Sequence, residues 1–438
     1  MKPTSFPPGP KNWYPLRIAL AMQRDPISFL AGVVRTYGDF THFKGGEQHV
    51  FLLNRPDYIR QVFQVDADKF EKSSGSKRAR ALIGDGLLIS EGEKHHRQRR
   101  LIQPSFNHRK VTAHAPTIVD CGLTHMLKWR DGSQVDMFEE LRRLTLTIIG
   151  KTMFGLDIEK DTGYVLGDFS SIVRLFDSMS PMLKKARTLF GSKGDFSQVL
   201  MRHQAVLRII EKRRENPTGE DLLSALIAAV DDGAMDEKQL RDEVVTILEA
   251  GHETTSTALG WTWYLLSNNP EVERKFHEEL ERVLDGRPPD AEDFARLTYT
   301  VNVFTEAMRM YPPVWVIGRT PTEDYELDGF LIPKGSLVLI SPHVLHYDQR
   351  HYKEPERFIP DRWRDDRETI PPLSYLPFGY GPRRCVGEGF AMLEGSLLLA
   401  TLGQNWRPRM VAGHIVKLVP LIVLRPNGLQ MILNQRNR

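Results

Sequence analysis

The loop around Cys385 has the most distinctive chemical setting in the chain. The sequence contains two cysteines, Cys121 and Cys385. Residues 378–387 read Phe-Gly-Tyr-Gly-Pro-Arg-Arg-Cys-Val-Gly, which predicts a tight loop that leads into a helix. A cysteine just before a helix N-terminus and beside arginines is expected to have a lowered pKa. Cys385 would then be a thiolate, acting as a nucleophile or a metal ligand. The alternative, a small buried hydrophobic residue, is the interpretation for Cys121.

A polar stretch interrupts an apolar segment in the middle of the chain. Residues 244–259 read Val-Val-Thr-Ile-Leu-Glu-Ala-Gly-His-Glu-Thr-Thr-Ser-Thr-Ala-Leu, with Glu253 and Thr254 near the centre. Burying hydroxyls and a carboxylate costs several kcal/mol unless they are paired. Taken alone, the pattern favours hydroxyls that bond back to carbonyls one turn earlier and bend a helix.

Composition limits the class of protein. The chain has 438 residues, of which 41% are hydrophobic and 26% are charged, as in ordinary globular proteins. Two cysteines exclude a disulfide framework and a zinc site built on several cysteines, and they suit a reducing compartment. The net charge of +3 is small for this length, so bulk attraction to nucleic acid is not predicted.

The N-terminal residues MKPTSFPPGP form neither a leader nor an anchor pattern. Since no apolar run of about 20 residues occurs, no transmembrane segment is predicted. We therefore expect a cytoplasmic protein.

The elements that would position these residues are mostly helical. Asp25 and Pro26 predict a helix start, and that helix should run to about Tyr37-Gly38. Asp236, with Gln239 three residues later, predicts the start of a second helix. That helix should continue to Asn269-Pro270, a length of about 50 Å, and so cross the whole protein.

Strand signals lie near both ends of the chain. The predicted strands are 39–44, 49–53, 325–327, 336–340, 418–424 and 429–433, the last two joined by a turn at 426–428. The fold class is therefore mainly α with a minor antiparallel β region, at about 39–53 and 320–340 and in the C-terminal strands. The absence of alternating βαβ units disfavours a doubly wound nucleotide-binding fold.

Four groups of motifs resemble the cytochrome P450 haem-thiolate monooxygenases. The matching segments are Phe378-x-x-Gly381-x-Arg383-x-Cys385-x-Gly387, Ala250-Gly251-x-Glu253-Thr254, Glu306-Ala-Met-Arg309, and Pro355-Glu-Arg357-Phe358 with Phe358-x-Pro360-x-Arg362-Trp363. They occur in the family's order and at plausible spacing, and the resemblance covers essentially the whole chain. It implies one catalytic domain over residues 1–438, with the long central helix above the haem.

The resemblance implies that Cys385 is the axial ligand of the iron in haem b, where its sulfur favours O–O cleavage. Phe378 should pack beside the sulfur and limit solvent access. Arg319 and Arg383 match positions that bind the haem propionates.

A basic run at residues 93–101 matches a further family segment that contacts the propionates. His95 stands where the family commonly has tryptophan, and Arg99 follows it at the expected spacing. An imidazole can still donate a hydrogen bond to a propionate. For Arg97 and Arg100, a solvated basic helix face is an equally good interpretation.

On the distal side, the resemblance implies that Thr254 holds bound oxygen and an ordered water. Glu253 relays protons from solvent. Gly251 keeps the helix surface low so that dioxygen fits, and His252 is structural. Glu306, Arg309 and Arg357 would form a buried ion-pair triad that supports the fold and haem incorporation.

The resemblance also implies a largely apolar substrate pocket. The residues expected to line it are Leu248, Ala250, Val314, Trp315, Val316, Ile317 and Ile422, together with the loop 72–88. The alternative is that these residues simply belong to the core. A lipophilic substrate is expected, whether fatty acid, terpene, steroid or polyketide.

The implied reaction inserts one atom of dioxygen into that substrate by hydroxylation or epoxidation. No flavin or nicotinamide domain is recognisable, so electrons from NAD(P)H should arrive through a reductase and a ferredoxin or flavodoxin-type donor. Basic residues near Cys385 would attract an acidic donor. No nucleic acid partner is expected, and the protein should be a monomer. The alternatives are a peroxide-driven peroxygenase or isomerase, and a haem-based sensor.

Overall fold

The computed structural model describes residues 6–10, 15–73, 75, 80, 83–162, 193–217, 219–364 and 370–436. The helices are α1 Pro15–Arg24, α2 Pro26–Tyr37, α3 Pro56–Arg60, α4 Gly92–Ile102, α5 His108–Ala113, α6 Ala115–Met126, α7 Met137–Met153, α8 Ile158–Thr162, α9 Lys193–Glu215, α10 Leu222–Asp231, α11 Glu237–Asn268, α12 Pro270–Leu284, α13 Asp293–Arg296, α14 Thr298–Met310, α15 Pro342–His346 and α16 Glu388–Asn405. The strands are β1 Phe40–Gly45, β2 Gln48–Leu53, β3 Phe70–Lys72, β4 Gln134–Asp136, β5 Ile317–Pro321, β6 Tyr325–Leu327, β7 Phe330–Ile332, β8 Leu337–Ile340, β9 Trp406–Met410, β10 Lys417–Pro420, β11 Leu424–Asn427 and β12 Gln430–Gln435.

The predicted helix starts are confirmed by their capping contacts. The Asp25 carboxylate accepts a hydrogen bond from the Ser28 amide at 3.0 Å, and α2 begins at the next residue, Pro26. The Asp236 carboxylate accepts one from the Gln239 amide at 2.7 Å, which starts the central helix α11. Each cap satisfies an amide that has no partner within its own helix.

The main sheet has the strand order β1-β2-β8-β5-β3. Its pairs are antiparallel except β2 with β8, which are parallel. The expectation of a minor antiparallel β region is therefore confirmed except for this one parallel pair, which local turn signals did not indicate. A parallel pair needs a long crossover, and here it joins opposite ends of the chain.

The predicted C-terminal hairpin is wrong. Strand β10 pairs with β11, whereas β12 pairs with β9 and β4. The turn at 426–428 therefore redirects the chain to a second sheet. Gly428 provides the positive φ of 72° that this change of direction uses. Met431 and Leu433 then become buried in the main core.

The main apolar core lies among helices α6, α7, α11, α14 and α16. Helix α7 lies directly against the middle of α11, where the Thr145 hydroxyl donates to the His252 carbonyl at 3.0 Å. In the part of the chain that the structure describes, no helix combines the length and the apolar character needed to cross a membrane.

Candidate functional site

The loop before α16 brings the Cys385 thiol to an accessible position. The Cys385 amide donates to the Phe378 carbonyl at 2.9 Å, which closes the loop. Gly381 has a φ of 71°, and a Cβ on it would clash with the carbonyl of Phe63, so only glycine fits there. The Cys385 side chain is exposed, and α16 begins three residues later. The predicted tight loop before a helix is confirmed.

The pKa of Cys385 is raised, not lowered as the sequence predicts. Although the Cys385 side chain is solvent-accessible, the protein atoms around it still desolvate the thiol and raise its pKa. This effect outweighs the Gly387 amide and the charges of Arg99 and Arg384, which lower it. Nearby charges are visible in the sequence, whereas desolvation depends on the folded surroundings of the thiol. A thiol that binds a metal ion is deprotonated by the metal itself, so a ligand role does not require an intrinsically low pKa.

Four basic side chains gather beside this loop. Lys72 of β3 and Arg319 of β5 are directly opposite each other in the antiparallel pair. His95 and Arg319 are buried, and Arg383 forms an ion pair with Glu91. Like charges opposite each other destabilise a sheet, so this basic cluster needs negative partners.

The lowered pKa values of the cluster reflect its burial and its excess of positive charge. Burial, together with Arg319 and Arg383, lowers the pKa of Lys72 to about 7. Burial and Arg383 lower the pKa of Arg319 to about 10. Burial and neighbouring cations also lower the pKa of His95 to about 3. A group with two carboxylates, as haem has in its propionates, would fit this set of donors.

Sequence reasoning missed Lys72 and Glu91 as members of this cluster. Besides its ion pair, the Glu91 carboxylate accepts a hydrogen bond from the Lys72 amide at 2.6 Å. The available signal was the strand pairing of Lys72 with Arg319, which requires the fold to be known.

The other basic residues of α4 face different directions. Arg99 donates to the Arg384 carbonyl at 2.9 Å and so supports the cysteine loop. Arg97 is exposed and reaches the Gln239 side chain at 3.4 Å, on α11. Arg100 is exposed.

The middle of α11 is accessible along one narrow face. Ala250 is exposed, and Gly251 and Thr254 are half-buried, whereas their neighbours His252 and Glu253 are buried. The Thr254 hydroxyl donates to the Ala250 carbonyl at 2.8 Å, as the sequence predicted for hydroxyls in this stretch. Residues four apart lie on the same side of a helix, so Ala250 and Thr254 line this face together.

Glu253 lies on a different side of the helix, in an ion-pair network. Its carboxylate pairs with Arg425 of β11 and lies 3.8 Å from a guanidinium nitrogen of Arg142 in α7. Both arginines are buried. These partners lie far from Glu253 in sequence, and no local pattern indicates them.

Glu249, His252 and Glu253 form a compact group whose possible ligand atoms lie within 4.8 Å of one another. The arginines beside Glu253 would repel a cation there. The His252 Nδ1 is bonded to the Leu248 carbonyl at 2.7 Å. His252 is thus held by the helix itself, which agrees with a structural role.

Gly251 packs closely against α7, and its expected role in making room for dioxygen stays a prediction. A Cβ at this position would clash with the Ile149 side chain of α7. Gly251 therefore allows close packing between α11 and α7, because a larger residue would force the helices apart.

Two of the expected pocket residues belong to the core instead. Leu248 is 0% exposed, since it lies on the side of α11 away from Ala250. Trp315 is 6% exposed, and its indole donates to the Leu421 carbonyl at 2.8 Å. The accessible or half-buried members of the expected lining are Ala250, Val314, Val316, Ile317 and Ile422. Of the loop 72–88, residues 74, 76–79 and 81–82 lie outside the described residues.

The buried ion-pair triad contains a different third arginine from the one predicted. Arg309 donates twice to the Glu306 carboxylate at 2.9 Å, and both side chains are fully buried. Arg362 supplies the other guanidinium contact at 2.9 Å, and the Trp363 indole donates at 2.8 Å.

The Arg357 side chain is exposed and pairs with Glu354. Arg357 reaches the triad only through its carbonyl, which accepts from Arg309 at 3.3 Å. Both arginines stand in adjacent motifs, so sequence alone did not distinguish which side chain turns inward.

The chain is similar to known proteins over most of its length. The family model described as Cytochrome P450 matches residues 7–433. Cyclooctatin synthase of Streptomyces melanosporofaciens is 36% identical over 94% of this chain and 92% of its own length. Cyclooctat-9-en-7-ol 5-monooxygenase of the same organism is 33% identical over 90% and 87%, and pentalenene oxygenase of Streptomyces avermitilis is 31% identical over 95% and 95%. The chain belongs to the cytochrome P450 family.

It is a haem-thiolate monooxygenase, an oxidoreductase that inserts one oxygen atom into an organic substrate. Its cofactor is haem b, its co-substrate is dioxygen, and its electrons derive from NAD(P)H through a redox partner.

Proposed function

We propose that Cys385 is the thiolate ligand of the haem iron and that Lys72, His95, Arg319 and Arg383 hold the propionates. The observation that carries the proposal is the accessible thiol beside a cluster of basic side chains with too few negative partners. Bound haem supplies dioxygen activation. Arg99 supports the ligand loop through the Arg384 carbonyl, and Phe378 limits water near the sulfur.

Thr254 and Glu253 would manage protons on the opposite side of the haem. The Thr254 hydroxyl lies on the accessible face and can hold an ordered water while bonded to the Ala250 carbonyl. The Glu253 side chain pairs with Arg425 and lies 3.8 Å from a guanidinium nitrogen of Arg142. A proton would have to pass through this network before Thr254 delivers it.

The substrate is proposed to be a lipophilic terpene. The relatives described above are named for cyclooctatin, cyclooctat-9-en-7-ol and pentalenene. The accessible apolar residues Ala250, Val314, Val316, Ile317 and Ile422 suit a hydrocarbon skeleton. Titration with a cyclic terpene should shift the iron spin state more than a fatty acid of equal carbon number. The reverse order would contradict this substrate class.

The electron donor is proposed to be an acidic ferredoxin or flavodoxin-type protein. Helix α4 contacts the cysteine loop, and exposed Arg100 and Arg109 lie on and just beyond it. Arg100→Glu and Arg109→Glu should slow reduction several-fold at low ionic strength, whereas Lys334→Glu, an exposed control, should not. Equal rates in all three would rule out this docking face. We further infer that the whole chain acts as one catalytic unit, as a monomer, in the reducing cytoplasm.

The central test is the difference spectrum of the reduced protein with carbon monoxide. A strongly red-shifted Soret band is expected for thiolate ligation, and Cys385→His should abolish it. Cys121→Ala is the matched control and should keep the band. If the unmodified protein lacks the band, the assignment of Cys385 fails.

A peroxide-driven peroxygenase is the second candidate. The accessible Thr254 favours oxygen activation instead. Product formed with peroxide alone, at a rate equal to that with the electron donor, would favour the second candidate.

A further inference from the structure

Two adjacent carboxylates of the central helix bind the backbone of one loop. The Asp242 carboxylate accepts a hydrogen bond from the Asp85 amide at 2.9 Å. The Glu243 carboxylate accepts one from the Leu87 amide, also at 2.9 Å. The two bound amides are two residues apart in the loop, whereas the two carboxylates belong to consecutive residues of α11.

Two glycines allow the loop to lie flat on the helix. A Cβ on Gly84 would clash with the Asp242 carboxylate, and Gly84 also has a φ of 73°. A Cβ on Gly86 would clash with the Thr246 hydroxyl and would lie 2.6 Å from the Asp242 carbonyl oxygen. Gly86 has no positive φ, so close approach to α11 is the reason that only glycine fits there.

The same loop continues to the basic cluster. Three residues after Leu87, the Ser90 carbonyl accepts a hydrogen bond from Arg383 at 2.5 Å. The next residue, Glu91, forms the ion pair with Arg383. A short run of backbone therefore connects the first part of α11 with the arginine proposed to bind a propionate.

We propose that Asp242 and Glu243 are positioning residues, which dock the loop 84–90 on α11 and thereby hold Ser90 and Glu91 against Arg383. The consequence for haem rests on the proposed function, whereas the docking of the loop does not.

The environment of Glu243 makes the docking depend on pH. Glu243 is fully buried, and burial raises its pKa to about 8. Asp242 and Asp85 face it and act in the same direction, while the Leu87 amide and Lys94 act against them.

Basic side chains also pair with the acidic neighbours of Glu243. Lys238 pairs with Asp242, and Arg80 and Lys94 pair with Asp85. Lifting the loop would return Glu243 to water, where its pKa is near 4.5. Docking is therefore strongest when Glu243 is protonated, and it weakens as the pH rises towards and through about 8.

The test is hydrogen exchange of residues 84–91 in the haem-loaded enzyme. Glu243→Leu removes the acceptor, and exchange should accelerate at least tenfold. Glu243→Gln keeps a carbonyl for the Leu87 amide and should stay within threefold of the unmodified protein. Glu237→Leu is the matched control, because Glu237 is on the same helix but its side chain is 54% exposed in an ion pair with Arg214.

Gly86→Ala gives an independent variant if Glu243→Leu does not fold, and it should accelerate exchange in the same segment. Unchanged exchange in Glu243→Leu or in Gly86→Ala would overturn the docking. Between pH 6 and pH 8.5, we compare the exchange rate of this loop in the unmodified protein with its rate in Glu243→Gln. The ratio of the two rates should increase with pH. A constant ratio would overturn the pH dependence.

The link to Arg383 is tested separately by the rate of haem transfer to an apoprotein acceptor. Glu243→Leu should speed transfer several-fold. Faster loop exchange with unchanged haem transfer would overturn that link. A failed proposed function is distinguishable, because it would be seen as a missing red-shifted band in the unmodified protein.

Discussion

Arg425 and Glu253 form a buried ion pair between positions 172 residues apart. Arg425 belongs to β11, the strand before the last one, and Glu253 is in the middle of the central helix. The pair therefore fixes the last hairpin of the chain to the helix segment that carries Thr254. Arg142 lies near the same carboxylate, so one acid is shared by two basic side chains.

A double-mutant cycle should measure this coupling. Arg425→Gln removes one of the two positive charges beside the buried Glu253 side chain. This change should lower the free energy of unfolding by roughly 3 kcal/mol. Adding Glu253→Gln should cost much less in that background than it costs alone, because the pair is already broken. Urea denaturation of the four proteins provides the values. Strict additivity would show that the two side chains do not interact in solution.

Replacement of Thr254 should affect oxygen use rather than stability. Thr254→Val keeps the shape but removes the hydroxyl from the accessible face, so less product should form per dioxygen consumed, by at least threefold. Thr257→Val is the matched control, since the Thr257 hydroxyl bonds back to the Glu253 carbonyl at 2.7 Å on a buried side of the helix. Product and oxygen are measured together. An equal loss in both variants would argue against a special role for Thr254.

Arg362 and Arg357 should differ sharply in their contribution to folding. Arg362→Gln removes a guanidinium from the buried Glu306 carboxylate and should cost roughly 3–5 kcal/mol. Arg357→Gln alters an exposed pair with Glu354 and should cost less than about 1 kcal/mol. Denaturation midpoints and haem content after expression give the comparison. Equal losses would mean that Arg357 also supports the triad through its side chain.

Gly251 should behave as a packing residue. Gly251→Ala should lower the free energy of unfolding by about 1–3 kcal/mol, because the new methyl group collides with Ile149. Ile149→Ala should lower the free energy of unfolding less in the Gly251→Ala background than alone, because removing the Ile149 side chain leaves room for the new methyl group. If Gly251→Ala changed oxygen uptake and left stability intact, the result would favour a role in making room for dioxygen instead of packing.

Buried Glu394 should make stability depend on pH. It is 0% exposed, and burial raises its pKa to about 8, against a smaller opposite effect of the Thr255 hydroxyl. The folded pKa lies above the ordinary value of 4.5. The stabilising contribution of protonated Glu394 to the free energy of unfolding is therefore complete below pH 4.5. It declines as the pH rises and is lost once the pH has passed through about 8.

In Glu394→Gln, the free energy of unfolding should fall less steeply as the pH rises. The contribution of one such group to the slope is roughly 1 kcal/mol per pH unit. Glu243 has a similar pKa, so part of the slope should persist. Urea midpoints at pH 6 and pH 9 test the expectation, with Glu237→Gln as the exposed control. A slope identical in the variant and the unmodified protein would contradict it.

Local signals explain which parts of the molecule the sequence predicted. The caps at Asp25 and Asp236, the glycines around Cys385 and the back-bonded Thr254 hydroxyl all depend on neighbours within a few residues. Their interactions can be read from spacing alone.

The incorrect or missing parts depend on distant partners. Gly251 meets Ile149 across two helices, and Lys72 meets Arg319 across two strands. The pKa of Cys385 depends on how much protein encloses the thiol. Spacing carries no information on any of these quantities, because each is set by packing that forms only in the complete fold.

Gln134 and Gln430 are hydrogen-bonded across the pair of β4 and β12, although 296 residues separate them. A ribosome adding about 5–20 residues per second needs roughly 15–60 s to make that interval. Throughout this period β4 lacks its native strand partner, since β12 is the one strand paired with it among the described residues. The β4 edge of the nascent chain is therefore open to incorrect pairing during most of translation, and chaperone capture of this edge would be useful over that whole interval.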